Sequence, residues 1–394
     1  MIPYLLIFLF VLLFTSYDVR ETEISSNQRN IFVFLIALVL SLFVGLRDMI
    51  GGYDVYIYGE IFDITPAITS FDSFMKIVRG EDTSLPQILE PGFLAFGGIV
   101  KLFDDSRYTF FLILSVLSYM LIFKAFNKYM PFVFLAIFIF SCKFTLMSFV
   151  YVRQMLAMSI VWAAIPYIIN RDIIKFFLLM LIAFLIHNSS LIFLPLYFLG
   201  LNTYKKPVIL IALIGSFVLG LTTSFFSSAL GTVGEAMDLE KASVYANVSG
   251  GDVNIYYAIE AAIIGIGLYF TREKFYSSKI STLFFNIAIC YVCSTFITMR
   301  DATGVRLVWY FMIGMVYAVS SLAYCFKDSP ALRNAVLVTI FIYFSALHFR
   351  LLMIWDSGDM MPYQTFLSDT QRPTIWTDRE YTLKYAKPQQ IQQQ

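Results

Sequence analysis

Five arginines stand in or at the edge of apolar runs: Arg47, Arg153, Arg300, Arg306 and Arg350. A guanidinium there is expensive unless a carboxylate, a carbonyl or a ligand anion meets it. Its planar fork also fits phosphate oxygens two at a time. When the apolar runs are threaded in order through a membrane, all five fall on one face. Most basic residues of the short loops collect on the other. A ring of guanidiniums at one membrane surface suits a polyanionic lipid head group.

Other reactive side chains cluster beside these arginines. The densest group runs from Gly45 to Tyr58, where a helix leaves the membrane. Gly51 and Gly52 let backbone approach a ligand closely. Arg47 can bind phosphate, Asp48 and Asp54 offer carboxylates, and Tyr53, Tyr56 and Tyr58 can stack on sugars. The plain alternative is an interfacial Arg/Asp pair and a Gly-Gly turn. Glu90 precedes Pro91-Gly92-Phe93 and a short apolar run; a carboxylate is favoured at a helix N-terminus with or without a catalytic role. Arg153 has Gln154 beside it, a second hydrogen-bonding group at the same helix start. Its alternative is snorkelling to head groups. His187-Asn188-Ser189-Ser190 breaks two apolar runs, and a histidine there can serve as a general base or as a turn residue. Arg300, Asp301 and Arg306 flank a short loop and can hold a second phosphate or pair with one another. Arg350 reads as snorkelling, and His348, within the last apolar run, as structural.

The elements that position these groups follow from composition. The 394 residues are 59% hydrophobic and 14% charged, against roughly a quarter charged in soluble proteins. The chain is therefore an all-α polytopic membrane protein. A net charge of +1 gives no electrostatic footprint for nucleic acid. Cys142, Cys290, Cys293 and Cys325 lie in apolar runs and read as small hydrophobes rather than metal or redox groups. No Walker loop, zinc-type spacing or GxSxG appears.

Twelve crossings are expected, at 4–17, 31–46, 108–124, 131–149, 153–169, 173–186, 188–201, 207–226, 254–270, 282–298, 306–325 and 333–353. The run 93–103 is too short to span and reads as a re-entrant or interfacial helix. One set of loops then carries Arg20 with Arg29, Lys124 with Lys128, Arg171 with Lys175, Lys205 with Lys206, Arg272 with Lys274 and Lys279, and Lys327 with Arg333. The positive-inside rule makes that side cytoplasmic. Residues 47–107, 227–253 and the polar tail 355–394 then lie outside, as parts of a single integral membrane domain 1–394. The first apolar run lacks a basic leader and reads as a retained helix. The glutamine-rich end of the tail predicts disorder. Glu260, near the start of 254–270, reads as an interface residue.

The segments GLRDMIGGYDVYIY, EPGF, YVRQMLAMSI, HNSSLIFLPLYFL and GVRLVWYF occur in an order and spacing that resembles the EpsG-like branch of the Wzy-type bacterial polysaccharide polymerases. The resemblance runs from about residue 40 to about 365. It implies a multi-pass protein of the bacterial cytoplasmic (inner) membrane with its active site facing outward. It implies a fold similar to GT-C glycosyltransferases and needs neither a metal nor another cofactor. The substrates it implies are undecaprenyl-pyrophosphate-linked oligosaccharides, one as donor and one as acceptor, with a chain-length regulator protein as a partner such systems can use. The matching positions are Arg47, Asp54, Glu90, Arg153, Gln154, His187 and Arg306.

On that reading Arg47, Arg153 and Arg306, with Arg300 in reserve, hold the pyrophosphate. Glu90, Asp54 and His187 are the candidates for the base, the carboxylates first. Asp48, Tyr53, Tyr58, Gln154 and Asp301 contact substrate. An O-antigen ligase shares this chemistry. A transporter or flippase would want charges at mid-membrane, a reading that Lys143 supports most.

Overall fold

Apolar runs of this length must satisfy their own backbone within hydrocarbon, and a helix does so with bonds internal to the segment. The computed structural model describes residues 1–81, 90–222, 252–301, 304–354 and 360–368. Among these residues the chain is helical, and its single β feature is an isolated antiparallel bridge between Arg47 and Thr365.

Among the described residues, seven helices are long and apolar enough to cross a membrane: Ile2–Val19, Ser26–Gly45, Arg107–Tyr129, Val152–Ile169, Lys279–Ile297, Val305–Phe326 and Pro330–Ile354. The other five expected crossings take different forms. The 131–149 run is a helix of 12 residues, Val133–Phe144, followed by a 3-10 turn at Met147–Phe149. Ile173–Ile186 has 14 residues, about 21 Å at 1.5 Å per residue and short of a ~30 Å hydrocarbon core. The 188–201 run is a 3-10 segment, Asn188–Phe193, and a single turn, Leu196–Leu199. Lys206–Thr222 has 17 residues, and the rest of that expected crossing lies outside the described residues. Ile255–Phe275 is long, at 21 residues, but carries Glu260 and a charged end. The expected 227–253 loop, apart from its last two residues, and most of the tail also lie outside the described residues.

The chain divides into two compact units. The first comprises Met1–Ala163, Leu181–Asn188 and Thr339–Gln394, the second Ala164–Met180 and Ser189–Val338. In the first unit we number α1 (Ile2–Val19), α2 (Ser26–Gly45), α3 (Tyr53–Ile64), α4 (Phe71–Arg79), α5 (Pro91–Val100), α6 (Arg107–Tyr129), α7 (Val133–Phe144) and α8 (Val152–Ala163). Helix α7 is buried on almost every side, as expected of a helix apolar all round. Its N-terminus is capped from a different helix: Asp18 of α1 accepts from the Phe134 and Leu135 backbone N–H groups at 2.7 and 2.9 Å. Between α6, α7 and α8, Phe126 stacks on Trp162 and Phe140 meets both rings edge-on. His348, on the part of Pro330–Ile354 that belongs to this unit, is buried against the Phe8 ring at 5.4 Å.

The second unit centres on Lys279–Ile297, which packs on Ile255–Phe275, Lys206–Thr222 and Met312–Leu322. This packing encloses Glu260, which the sequence led us to expect at the membrane interface. Its carboxylate is buried, and it accepts from the Tyr291 hydroxyl at 2.6 Å.

Candidate active site

The described residues of the segment 47–107 hold three helices, two more than the sequence led us to expect. Its start is fixed by glycine. Gly51 and Gly52 have φ of 128° and 78°, a region that L side chains rarely adopt. A Cβ on Gly51 would also lie 2.6 Å from the Phe149 carbonyl oxygen. Gly52 serves as N-cap, and α3 runs from there with Asp54 in its first turn. Tyr53 opens α3, and its side chain lies outside the described residues. Tyr58, one turn on, is buried.

Helix α5 begins one residue after Glu90, with Pro91 in its first turn, where proline's missing donor costs nothing. It starts two residues earlier than the expected 93–103 and ends at Val100. A Cβ on Gly92 would sit 2.6 Å from the Leu185 carbonyl oxygen. Only glycine lets α5 come this close to the end of the Ile173–Ile186 helix, and the approach brings Glu90 to His187.

Glu90 makes no capping bond to its own helix. Its carboxylate points outward to three groups. Arg153 Nη1 donates to Oε2 in an ion pair. The Nδ1 of His187 lies 3.3 Å from Oε1. The Asn188 backbone N–H donates to the same oxygen at 3.4 Å. Arg153 then donates from Nε to the Tyr58 hydroxyl at 3.0 Å. Its guanidinium lies over the Tyr58 ring at 5.0 Å and the Phe93 ring at 5.9 Å. Burial pushes the Tyr58 phenol up from its ordinary value, and the Arg153 cation partly offsets that. Glu90 is the most enclosed of the ionisable groups, at 6% side-chain exposure, against 17% for Arg153 and 24% for His187. Two candidates, Arg153 and His187, thus meet at the Glu90 carboxylate, and Tyr58 joins them through Arg153.

The remaining candidates of the first unit serve neighbouring positions. Arg47 is buried between the Phe111 and Phe149 rings. It donates to the carbonyls of Ile50 and Phe149 at 2.9 and 2.8 Å, and to that of Val44. It therefore ties the end of α2 to the turn and to the 3-10 segment before α8. Asp48 accepts from the Met49 N–H and the Tyr108 hydroxyl, both at 2.9 Å. Residues 360–368 strap this end of the unit. The Asp48 N–H donates to the Gln364 carbonyl, Tyr363 stacks on Phe43 at 4.5 Å, and Phe366 stacks on Tyr108 at 4.7 Å. Gln154 is buried beside Arg153, and Asp54 is half-buried on α3.

Arg300, Asp301 and Arg306 belong to the second unit. Arg300 donates to the Leu221 carbonyl at 3.0 Å, and Asp301 accepts from the N–H of Gly304, the residue before the Val305–Val308 turn that carries Arg306, at 2.9 Å. Sequence reasoning missed Tyr108 and Asp18. The signal for Asp18 was present, since an acid closing an apolar run needs a partner.

A bundle of apolar helices, with a buried carboxylate holding an arginine and a histidine, defines a polytopic α-helical membrane protein with an ionisable site. The sequence profile of the EpsG family matches residues 30–365, and the chain belongs to that family. Membership places it among the polysaccharide-polymerase-type membrane proteins. Comparison with curated proteins and with solved structures gave no match.

Proposed function

We propose that this protein joins undecaprenyl-pyrophosphate-linked oligosaccharide repeat units at the outer face of the bacterial cytoplasmic membrane, by a GT-C-like, metal-independent transfer. The observation that carries the proposal is Glu90 holding Arg153 on one oxygen and His187 on the other. An acceptor hydroxyl attacks the anomeric carbon of the donor. A new carbon–oxygen bond forms there as the bond to the diphosphate oxygen breaks. The electron pair leaves with undecaprenyl pyrophosphate, and Arg153 stabilises the charge that develops. The hydroxyl proton goes to His187. Glu90 holds Nδ1, which fixes the tautomer and turns Nε2 toward the acceptor, the same division of labour that orients a triad histidine.

This ordering puts His187 ahead of Glu90 and Asp54 as base, because Glu90 is occupied in positioning. Tyr58 and Phe93, both buried, hold the arginine against their rings. Arg47 holds the turn that leads into α3, the helix that carries Asp54 and Tyr58. Arg300 and Arg306 remain candidates for phosphate contacts in the second unit.

The test compares Arg153→Ala with Arg153→Lys, read as polymer length in cells with expression matched. Removing a donor of this kind costs about 10²–10³ in rate. The lysine form keeps the charge but loses the fork, so it should fall between the two. Full-length polymer from the alanine form refutes the assignment.

A further inference from the structure

One carboxylate serves a permanent cation and a titratable base, and the two compete for its charge. Arg153 takes Oε2, while His187 and the Asn188 N–H share Oε1. The histidine faces Glu90 of α5; Arg153 of α8 holds the other oxygen of that carboxylate, and Tyr58 and Asp54 of α3 lie on the far side of Arg153 and of Tyr58 in turn. Arg153 acts against protonation of His187 in two ways. It draws Glu90's negative charge to itself, and it adds a positive charge close to the imidazole. A buried site strengthens both effects, because the effective dielectric is low.

A donor diphosphate reverses this balance. Its oxygens suit the guanidinium fork as well as a carboxylate does, and they bring more negative charge. We propose, resting on the function proposed above, that Glu90 couples donor binding to base strength: a diphosphate seated on Arg153 draws that cation off Glu90, and the carboxylate then stabilises protonated His187 alone. His187 becomes a competent base only after the donor arrives. Glu90 is a positioning residue here and touches neither sugar.

The chain has two histidines, His187 and His348, so imidazole resonances are few and a His187→Gln variant assigns them. The experiment uses full-length protein in nanodiscs with labelled histidine. His187 is titrated by NMR with and without farnesyl diphosphate, and binding is followed separately by thermal stabilisation. In the wild type the His187 midpoint should rise on binding by about one pH unit, a tenfold gain in proton affinity. In Glu90→Gln the ligand should still bind, and the rise should shrink to less than half.

Binding with no rise overturns the coupling. So does an equal rise in Glu90→Gln, because the field of the diphosphate then acts directly. No binding by the wild type overturns the functional reading itself, and the coupling with it. If Glu90→Gln does not fold, Glu90→Asp replaces it: the shorter acid cannot bridge both partners, and the rise should again be halved or less.

Discussion

Tyr58 and Arg153 separate two kinds of residue at the site. Tyr58→Phe removes one hydroxyl that accepts from Arg153 Nε and leaves the aromatic face in place. A hydrogen bond to a charged group contributes about 1.5–3 kcal/mol, but the guanidinium keeps its pairing to Glu90. The expected loss in chain extension is therefore about tenfold, well below that of Arg153→Ala, and a ladder assay on the two variants checks the order. Burial also raises the Tyr58 phenol above its ordinary 10.0. A group with a raised pKa stays protonated until the pH passes that value, so the rate should show an acid limb from His187 and no alkaline limb from Tyr58 below about pH 10. The members of this cluster were legible in the sequence, because ionisable groups at the edges of apolar runs are few and each stood out. Their pairing was not. Glu90 lies 63 residues from Arg153 and 97 from His187, and no local pattern carries that information. Arg47 looked equivalent to Arg153 by type and placement. Its fork instead closes on three backbone carbonyls, and only tertiary structure separates the two.

Helix starts govern whether these residues meet. Gly92→Ala places a methyl 2.6 Å from the Leu185 carbonyl oxygen, a backbone atom that cannot swing aside. Overpacking of this kind costs about 1–3 kcal/mol. We expect a lower Tm and a larger fall in activity than stability alone explains, because α5 must shift and take Glu90 away from His187. Asp18→Ala tests a different start. It leaves two α7 N–H groups without the oxygen they donate to, at about 1–3 kcal/mol. The Tm should fall while the folded fraction keeps its turnover, since Asp18 lies on α1 rather than among the site helices. The long helices were legible from hydropathy. Of the short ones, α5 was expected at 93–103, whereas α3 was missed because it mixes glycine and acids into its apolar pattern, and the 131–149 run did not reveal that α7 stops after 12 residues. Helix α4 did leave a signal in the sequence: Ser70 and Ser73 form a capping box, and Gly80 closes the helix in the left-handed region.

For the whole molecule, charge sets the sidedness. The loop basic residues predict one cytoplasmic face by the positive-inside rule. A cysteine in place of Lys128, exposed at the end of α6, should react with an impermeant thiol reagent only in inverted vesicles. One in place of Asp72, exposed on α4, should react only in intact spheroplasts. Reversal of both would put the site on the wrong face for externally displayed substrates. Membership in the EpsG family was legible from the order of five short segments, because order survives even where each segment is unspecific. The division into two compact units was not, since it depends on which helices pack together. The most direct measurement reconstitutes the purified full-length protein in lipid vesicles with one undecaprenyl-pyrophosphate-linked repeat unit, with EDTA present and no nucleotide sugar. The account predicts a ladder of products with one undecaprenyl pyrophosphate released per linkage, and loss of both with Arg153→Ala. A folded wild type that releases no undecaprenyl pyrophosphate, or an Arg153→Ala form that extends chains as the wild type does, contradicts it.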